Sequence, residues 1–381
     1  MQNQTSSLAF PLVLTFGVAD PAGALGIQAD LATFFALGCH GLSVMTGMLV
    51  ADSARIEDCQ EIDADWMCDQ ARVLLEDMQV AAIKVGALLT IEQASVIAEI
   101  VSDYPDVPLI LDPFLSSLPD SGLADDDMLG AIRQILVPQA HLLLLSQVEL
   151  ARMAETWRDG AEALEAAGDA ADAAGDDAAG DDAAGDDEQG DDDELDDDKP
   201  DDDNVPGDDE PGDDDEPDDG SERDQDGAPG GWPPRRSGRA RALEPGSAQH
   251  HAAAPVSALA ADVAELTGSG CAMVLVTCTG SGKHGARSNT LFDDSGEIAR
   301  FEWQHLAGPF SGAGSTMSAA IAAYLAHGMS PRDAAAAQSF TSGALAHAQR
   351  IGMGKLVPNK FFQAAPFTVP PSPAPSTPGA A

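Results

Sequence analysis

The residues best suited to chemistry lie in one short run, the small residues Gly312, Ala313, Gly314 and Ser315. An Ala-rich segment with apolar side chains at helical spacing follows at once, so the run opens a helix. Glycine lets a backbone approach a ligand closely, and the first turn of a helix presents unpaired N–H groups at the positive end of its dipole. Such a turn binds anions and, placed over a transferring phosphate, stabilises the charge of the transition state.

The same run has a plainer interpretation. Serine is a favoured residue at the N-cap of a helix, so Ser315 could serve only to begin a buried helix. Short Gly-rich patterns often occur by chance, and the motif alone leaves both interpretations open.

Strand and helix patterns alternate strictly in the N-terminal part of the chain. Apolar runs predict strands at 10–19, 42–50, 80–85, 108–112 and 141–145, and helical periodicity predicts helices at 27–37, 65–77, 91–102 and 128–136. This alternation indicates βαβ units and a mainly parallel sheet that is covered on both faces. Ligands of such sheets bind beyond the carboxyl ends of the strands. The residues at those strand ends are Asp20, Gly86, Asp112 and Ser146.

The pattern resumes after a long polar stretch. We predict a helix at 256–266, a strand at 273–278 and then a Gly-rich polar loop that contains Lys283. Strands at 289–292 and 298–303 flank Asp-Asp-Ser-Gly, which predicts a hairpin. The helix that begins near Ser315 follows, and a second Ala-rich helix is predicted at 331–350.

The net charge of −45 comes mostly from one stretch. Between Asp159 and Asp226 there are 34 acidic residues against Lys199 and Arg223. Dense like charge with almost no apolar content predicts a disordered acidic insert. The basic cluster at 235–241 adds a second hypothesis, a regulatory or polycation-binding arm. The predicted division is one discontinuous domain at 8–157 and 255–362, an insert at 158–254, and a flexible Pro/Ala-rich tail at 363–381.

The remaining composition excludes several classes of protein. The five cysteines are odd in number and never spaced as Cys-x-x-Cys, which argues against a disulfide framework and a structural zinc site. The N-terminus lacks the basic flank of a signal peptide, and no apolar run approaches the roughly 20 residues of a membrane helix. We therefore expect a cytoplasmic protein without nucleic-acid or membrane partners. We interpret Trp66, Trp157 and Trp303 as packing residues.

With these elements placed, the chain resembles the ribokinase-like superfamily and, within it, the hydroxymethylpyrimidine/phosphomethylpyrimidine kinases of thiamine biosynthesis. The longest match is Asp20-Pro-Ala-Gly-Ala-Leu-Gly-Ile-Gln-Ala-Asp-Leu-Ala-Thr-Phe34, similar to the family's Asp-Pro-Ser-Gly-Gly-Ala-Gly-Ile-Gln-Ala-Asp-Leu-Lys-Thr-Phe. Ile83-Lys-Val-Gly86 and Leu111-Asp-Pro113 match further landmarks, and the run from Gly312 resembles Gly-Thr-Gly-Cys-Thr-Leu-Ser-Ala-Ala-Ile-Ala. The resemblance implies a three-layer α/β/α sandwich with a mainly parallel central sheet, in which ATP and a pyrimidine alcohol meet over the anion hole.

The resemblance also implies roles for single residues and a homodimer. The catalytic positions are Gly312, Ala313, Gly314 and Ser315, with the glycine amides holding the phosphoryl group. The substrate-side positions are Gly17, Asp20, Asp30, Ala51, Gly86 and Asp112. The nucleotide-side positions are Ser146, Glu149, Thr277 and Lys283, and Glu149 is also the candidate ligand of Mg²⁺. A strand-end turn before Pro113 is the plainer interpretation of Asp112.

Four positions depart from the family pattern. Ser315 stands where the family has Cys and most of the superfamily has Asp, and an unactivated hydroxyl is a very poor base. Ala51 replaces a Gln that contacts the pyrimidine, and Ser146 replaces the Asn of an Asn-x-x-Glu motif. The family's Lys-Gly-Gly-His becomes Thr277-Cys-Thr-Gly280, so the nucleotide lysine is missing unless Lys283 substitutes for it.

Three functions are therefore open. The first is ATP-dependent phosphorylation of 4-amino-5-hydroxymethyl-2-methylpyrimidine, with its monophosphate as a second substrate. Loss of a general base typically costs about 10²- to 10⁴-fold, so this hypothesis predicts a slow enzyme. The second is a weakened or inactive relative that binds nucleotide or pyrimidine as a sensor or partner protein. The third keeps the kinase but changes the alcohol to pyridoxal or another ring, because Ala51 enlarges the pocket.

Overall fold

The computed structural model describes residues 10–113, 126–158, 256–279, 286–304 and 306–364. The chain separates into two units, residues 1–171 with 251–381 and residues 172–250, and every described residue belongs to the first. The predicted acidic insert from residue 159 onward, Lys283 and most of the C-terminal tail lie outside the described residues. The predicted domain boundaries therefore stay predictions.

Nine strands of the described chain form one sheet, in the order β3-β2-β1-β4-β5-β6-β7-β8-β9. They are β1 (Leu12–Ala19), β2 (His40–Ala51), β3 (Ile56–Glu61), β4 (Val80–Val85), β5 (Leu109–Leu111), β6 (Leu142–Ser146), β7 (Val274–Thr277), β8 (Ala286–Asp293) and β9 (Gly296–Gln304). Six strands that are neighbours in the sheet pair in parallel: β2, β1, β4, β5, β6 and β7. Strand β3 at one edge and strands β8 and β9 at the other pair antiparallel. The mainly parallel sheet and the hairpin at Asp293–Gly296 are confirmed.

Helices cover both faces of the sheet. They are α1 (Gly26–Ala36), α2 (Ala64–Asp77), α3 (Ile91–Ser102), α4 (Asp126–Ala131), α5 (147–158), α6 (Val256–Gly268), α7 (Ala313–Ala326), α8 (Pro331–Ala334) and α9 (Gln338–Ala346). Side chains alternate along each strand, so Leu14 packs with Met67 of α2 and Ile97 of α3 in one core, and Val13 packs with Ile321 of α7 in the other. This is the expected three-layer α/β/α sandwich. Among the described helices, none combines the length and the apolar character that a bilayer crossing demands.

Two predictions about secondary structure are wrong. The single helix predicted at 331–350 is interrupted by a 3-10 turn at Ala335–Ala337 and ends at Ala346. In this turn Ala335 and Ala337 are fully buried in the core that α7 shares, and this packing overrides the helix propensity of alanine. Strand β3 was not predicted, because its polar sequence Ile-Glu-Asp-Cys-Gln-Glu lies at an exposed edge and gives no apolar run.

Candidate active site

Helix α7 begins at a glycine. Gly312 occupies the N-cap position with φ 81°, and the amide of Thr316 donates to its carbonyl at 3.0 Å. The amides of Ala313, Gly314 and Ser315 therefore have no acceptor within the helix. Ser315 is the third helical residue and is buried, so the interpretation of Ser315 as the helix cap is wrong. The geometry of an anion-binding helix start is present.

The loop between β1 and α1, here called the Asp20 loop, packs directly against this helix start. A Cβ atom at Gly312 would lie 1.7 Å from the carbonyl oxygen of Ala24, so only glycine fits here. The carboxylate of Asp20 holds that loop in shape by accepting the amides of Ala22, Ala24 and Leu25 at 2.8, 2.9 and 3.0 Å. The structure thus links Asp20 to the helix start, and its predicted contact with substrate stays a prediction.

Five of the predicted site residues line one small cavity at the carboxyl ends of the strands. They are Gly17, Asp30, Gly86, Asp112 and Ser315, and Lys84 joins them. The cavity has a volume of about 10 Å³ and holds roughly one water molecule. Four of the six predicted substrate residues are therefore brought together with Ser315 of the first turn of α7.

A buried ion pair forms one wall of this cavity. Both oxygens of Asp30 accept from Lys84 Nζ at 2.8 Å, and Oδ2 also accepts from the hydroxyl of Thr15 at 2.7 Å. Asp30 and Lys84 are almost wholly inaccessible to solvent. Loss of water raises the pKa of Asp30 above its usual range, although Lys84 and Thr15 act in the opposite direction.

A second carboxylate, Asp112, faces the same cavity. Burial raises its pKa to about 6, outweighing the opposing effects of Lys84 and of a hydrogen bond from Ser318. Ser318 Oγ on α7 donates to Asp112 Oδ2 at 2.6 Å. Asp112 is thus held at the end of β5 by the helix that carries Ser315.

A larger cavity also borders the first turn of α7. Its volume is about 140 Å³, and its lining includes Thr277, Trp303, Ala313, Gly314 and Gln338. The indole N–H of Trp303 donates to Asn289 Oδ1 at 3.2 Å, so a hydrogen bond helps to hold the ring at this cavity. The interpretation of Trp303 as a packing residue was incomplete, because it also borders a cavity that contains three predicted site residues.

Ser146 and Glu149, two of the residues predicted to bind nucleotide, hydrogen-bond to each other. Ser146 and Glu149 form a capping box at the start of α5: Glu149 Oε2 accepts the amide of Ser146 at 2.7 Å, and Ser146 Oγ accepts the amide of Glu149 at 3.2 Å. In the described part of the chain, no group of three or more His, Cys, Asp or Glu side chains could hold a metal ion. The nucleotide roles of both residues and the magnesium role of Glu149 stay predictions.

Like Asp20, Ala51 does not line the small cavity. It lines a wider opening of about 490 Å³, together with Pro21 and Ala22 of the Asp20 loop and with Met353. The amides of Gly354 and Lys355 donate to Ser53, which ties the turn after β2 to this C-terminal segment.

Sequence reasoning did not single out Thr15, Lys84 or Ser318. Lys84 had a signal, since a lysine inside an apolar strand is almost never buried without a partner. Thr15 and Ser318 carried none, because their partners are 15 and 206 residues away in the chain.

Comparison with known proteins identifies the family of the chain. Residues 20–179 and 248–359, more than half of the chain, match the model of the phosphomethylpyrimidine kinase family. A hydroxymethylpyrimidine/phosphomethylpyrimidine kinase of Streptomyces coelicolor is 33% identical over 153 residues, which are 40% of this chain and 56% of the relative. The corresponding kinase of Escherichia coli is 29% identical over 37% of this chain and 53% of its own length. The chain thus spans about half the length of the curated relatives it matches.

Among solved structures, an ADP complex of Bacillus subtilis pyridoxal kinase has the same fold. Its TM-score is 0.62 at 18% identity, and the match covers 93% of this chain and all of that one. The extent of the family match shows that the chain belongs to the phosphomethylpyrimidine kinase family.

Proposed function

We propose that the protein transfers the γ-phosphoryl group of ATP to the hydroxymethyl group of 4-amino-5-hydroxymethyl-2-methylpyrimidine. The observation that carries this proposal is that the first turn of α7 borders two cavities. Ala313 and Gly314 line the larger cavity, and Ser315 lines the smaller one with Asp112. A phosphoryl group held on the amides of this turn would lie between a nucleotide on one side and an alcohol on the other.

The charge distribution suits this transfer. Phosphoryl transfer depends mainly on positioning and on stabilising the charge of the equatorial oxygens. The unpaired amides at the start of α7 supply fixed positive potential, and they need no reorganisation during the reaction. The small cavity holds about one water molecule, which is the size of the attacking hydroxyl group.

We assign ATP to the larger cavity. The Bacillus subtilis pyridoxal kinase that shares the fold binds ADP, which supports a nucleotide in this family of structures. Magnesium enters with the nucleotide as Mg-ATP. Mg²⁺ takes most of its ligands from phosphates and water and needs only one or two carboxylates, so the buried Glu149 suffices as its protein ligand.

The acceptor follows from the relatives, whose names specify the pyrimidine and its monophosphate. A second acceptor, pyridoxal, is favoured by one observation: Ala51 borders an opening of about 490 Å³ where the family has a Gln that contacts the pyrimidine. Phosphorylation of the pyrimidine monophosphate and the predicted homodimer belong to the same proposal.

The test is phosphorylation of each alcohol by the purified full chain with Mg-ATP. Gly314→Pro removes one amide of the helix start, and the first turn of a helix tolerates proline. Gly314→Ala is the matched control, because a Cβ atom there meets nothing within 4 Å and the amide remains. We expect Gly314→Pro to lower kcat by about 10²- to 10³-fold, as for the loss of an oxyanion-hole donor, and Gly314→Ala to stay close to the wild type.

Each outcome distinguishes the candidates. Turnover of the pyrimidine but not of pyridoxal supports the proposal, and the reverse supports the pyridoxal alternative. Calorimetric binding of ATP or pyrimidine without turnover of either alcohol would indicate the non-catalytic binding protein. Equal activity of the proline and alanine variants would show that the amide of Gly314 takes no part in the reaction.

A further inference from the structure

We propose that the general base of this site is Asp112, not the residue at the position of Ser315. The inference rests on the proposed function. In the step we propose, the acceptor hydroxyl gives its proton to the Asp112 carboxylate as its oxygen forms a bond to the γ-phosphorus. The bond from that phosphorus to the β–γ bridging oxygen breaks, and ADP leaves with the electron pair. Asp112 then releases the proton to water.

The first argument is chemical. A serine hydroxyl keeps its proton at neutral pH and accepts one poorly, so Ser315 lacks the chemistry of the cysteine or aspartate it replaces. Asp112 is a carboxylate that lines the same cavity as Ser315 and is 6% exposed. The site therefore contains a group able to accept the proton, supplied by the end of β5 and not by α7.

The second argument is position. Ser318 lies one helical turn after Ser315, and its hydroxyl donates to Asp112 at 2.6 Å. This bond fixes the carboxylate beside the first turn of α7, where the phosphoryl group would be held.

The third argument is electrostatic. Lys84 faces Asp112 from β4, and Asp30 from α1 and Glu149 from α5 contribute negative charge. Burial dominates, and the resulting pKa of Asp112 is about 6. A base with a pKa close to the working pH combines the ionised form with useful basicity.

Asp112→Asn tests the proposal, because the amide has nearly the same shape and can still accept from Ser318. We expect kcat to fall by about 10²- to 10⁴-fold, with ATP affinity, the Mg²⁺ concentration for half-maximal rate and the melting temperature unchanged. Asp103→Asn, at an exposed carboxylate paired with Arg72, is the matched control. A wild-type rate in Asp112→Asn would overturn the proposal. So would a loss that excess Mg²⁺ restores, since Asp112 would then be a metal ligand.

A second experiment uses the pH profile. The wild-type kcat/KM should fall as the pH drops below about 6. Ser318→Ala removes a bond that lowers the pKa of Asp112, so the acid limb should move to higher pH. Ser315→Ala should leave the limb in place whatever its effect on the rate. A limb that shifts in Ser315→Ala and not in Ser318→Ala would contradict the proposal. Absence of turnover in the wild type would instead reject the proposed function itself.

Discussion

The carbonyl oxygen of Ala24 lies against the Cα atom of Gly312, so close that a Cβ atom there would be 1.7 Å from it. This contact joins the Asp20 loop, which follows β1, to the start of α7 almost 300 residues later in the chain. Gly312 also has φ 81°, a left-handed conformation that other residues adopt only with strain. Two independent constraints therefore require glycine at the point where α7 begins.

Gly312→Ala should disrupt the site. The substitution adds the clash with Ala24 to the roughly 1–2 kcal/mol of a left-handed conformation, so we expect a loss of stability and of nearly all activity. Gly328→Ala is the matched control at the other end of α7, because it has φ 83° and a Cβ atom there meets nothing within 4 Å. Urea unfolding and the kinase assay on both variants give the comparison. Equal behaviour of the two would mean that the Ala24 contact is unimportant.

The sequence predicted the architecture well, because the strands of this sheet are buried on both faces. Continuous apolar runs such as 10–19 have few alternative structures, and Ala-rich α7 has strong intrinsic helix propensity. Strand β3 was missed because an exposed edge strand has no apolar pattern to detect. The break at Ala335–Ala337 was missed because it is imposed by packing between helices, which propensity does not include.

The sequence predicted which residues belong to the site but not which side chains hydrogen-bond to them. Asp30 was identified from a family resemblance and Asp112 first from its place at a strand end, but the hydrogen bonds that hold them come from Lys84 and Ser318 on other elements. Hydrophobic periodicity predicts which face of a helix or strand a residue occupies. It does not predict which polar side chains from different elements form hydrogen bonds. The second role of Glu149, in the cap of α5, was within reach, since Ser146 and Glu149 have the Ser-x-x-Glu spacing of a capping box.

Removing Lys84 should destabilise the whole domain. Lys84→Met leaves Asp30 as a buried charge without its cation, which typically costs about 3–5 kcal/mol. Replacing Thr15, Asp30 and Lys84 together by Val, Leu and Met removes every polar group of the cluster, so much of that stability should return. The free energy of unfolding in urea measures both. A triple variant no more stable than Lys84→Met alone would show that the three groups do not act as a unit.

The capping box separates two roles of Glu149. Ser146→Ala should cost about 0.5–2 kcal/mol, because it removes the hydroxyl that accepts the amide of Glu149. Glu149→Gln keeps an oxygen for the amide of Ser146, so its stability should change less. If Glu149 also binds magnesium, this variant alone should need more Mg²⁺ for half-maximal rate. An unchanged Mg²⁺ requirement would leave Glu149 with the structural role only.

Lys360 should make the stability depend on pH above neutrality. Its side chain is 5% exposed, and burial lowers its pKa to about 8, although Asp30 and Asp20 act in the opposite direction. The unfolded chain, with a lysine pKa near 10.4, therefore binds more protons than the folded one between these values. The free energy of unfolding should rise as the pH increases through this window, by an amount on the order of 3 kcal/mol.

Lys360→Met is the variant that isolates this effect. Buried cysteines have raised pKa values, for instance Cys271 at about 12, and their titration lowers stability in the same pH range. The difference between the wild type and Lys360→Met cancels that contribution. Urea unfolding from pH 7 to 10 should show the variant more stable than the wild type at pH 7, because it buries no charge, with the gap closing as Lys360 loses its proton. A gap that stays constant with pH would mean that the lysine keeps its ordinary pKa in the folded protein.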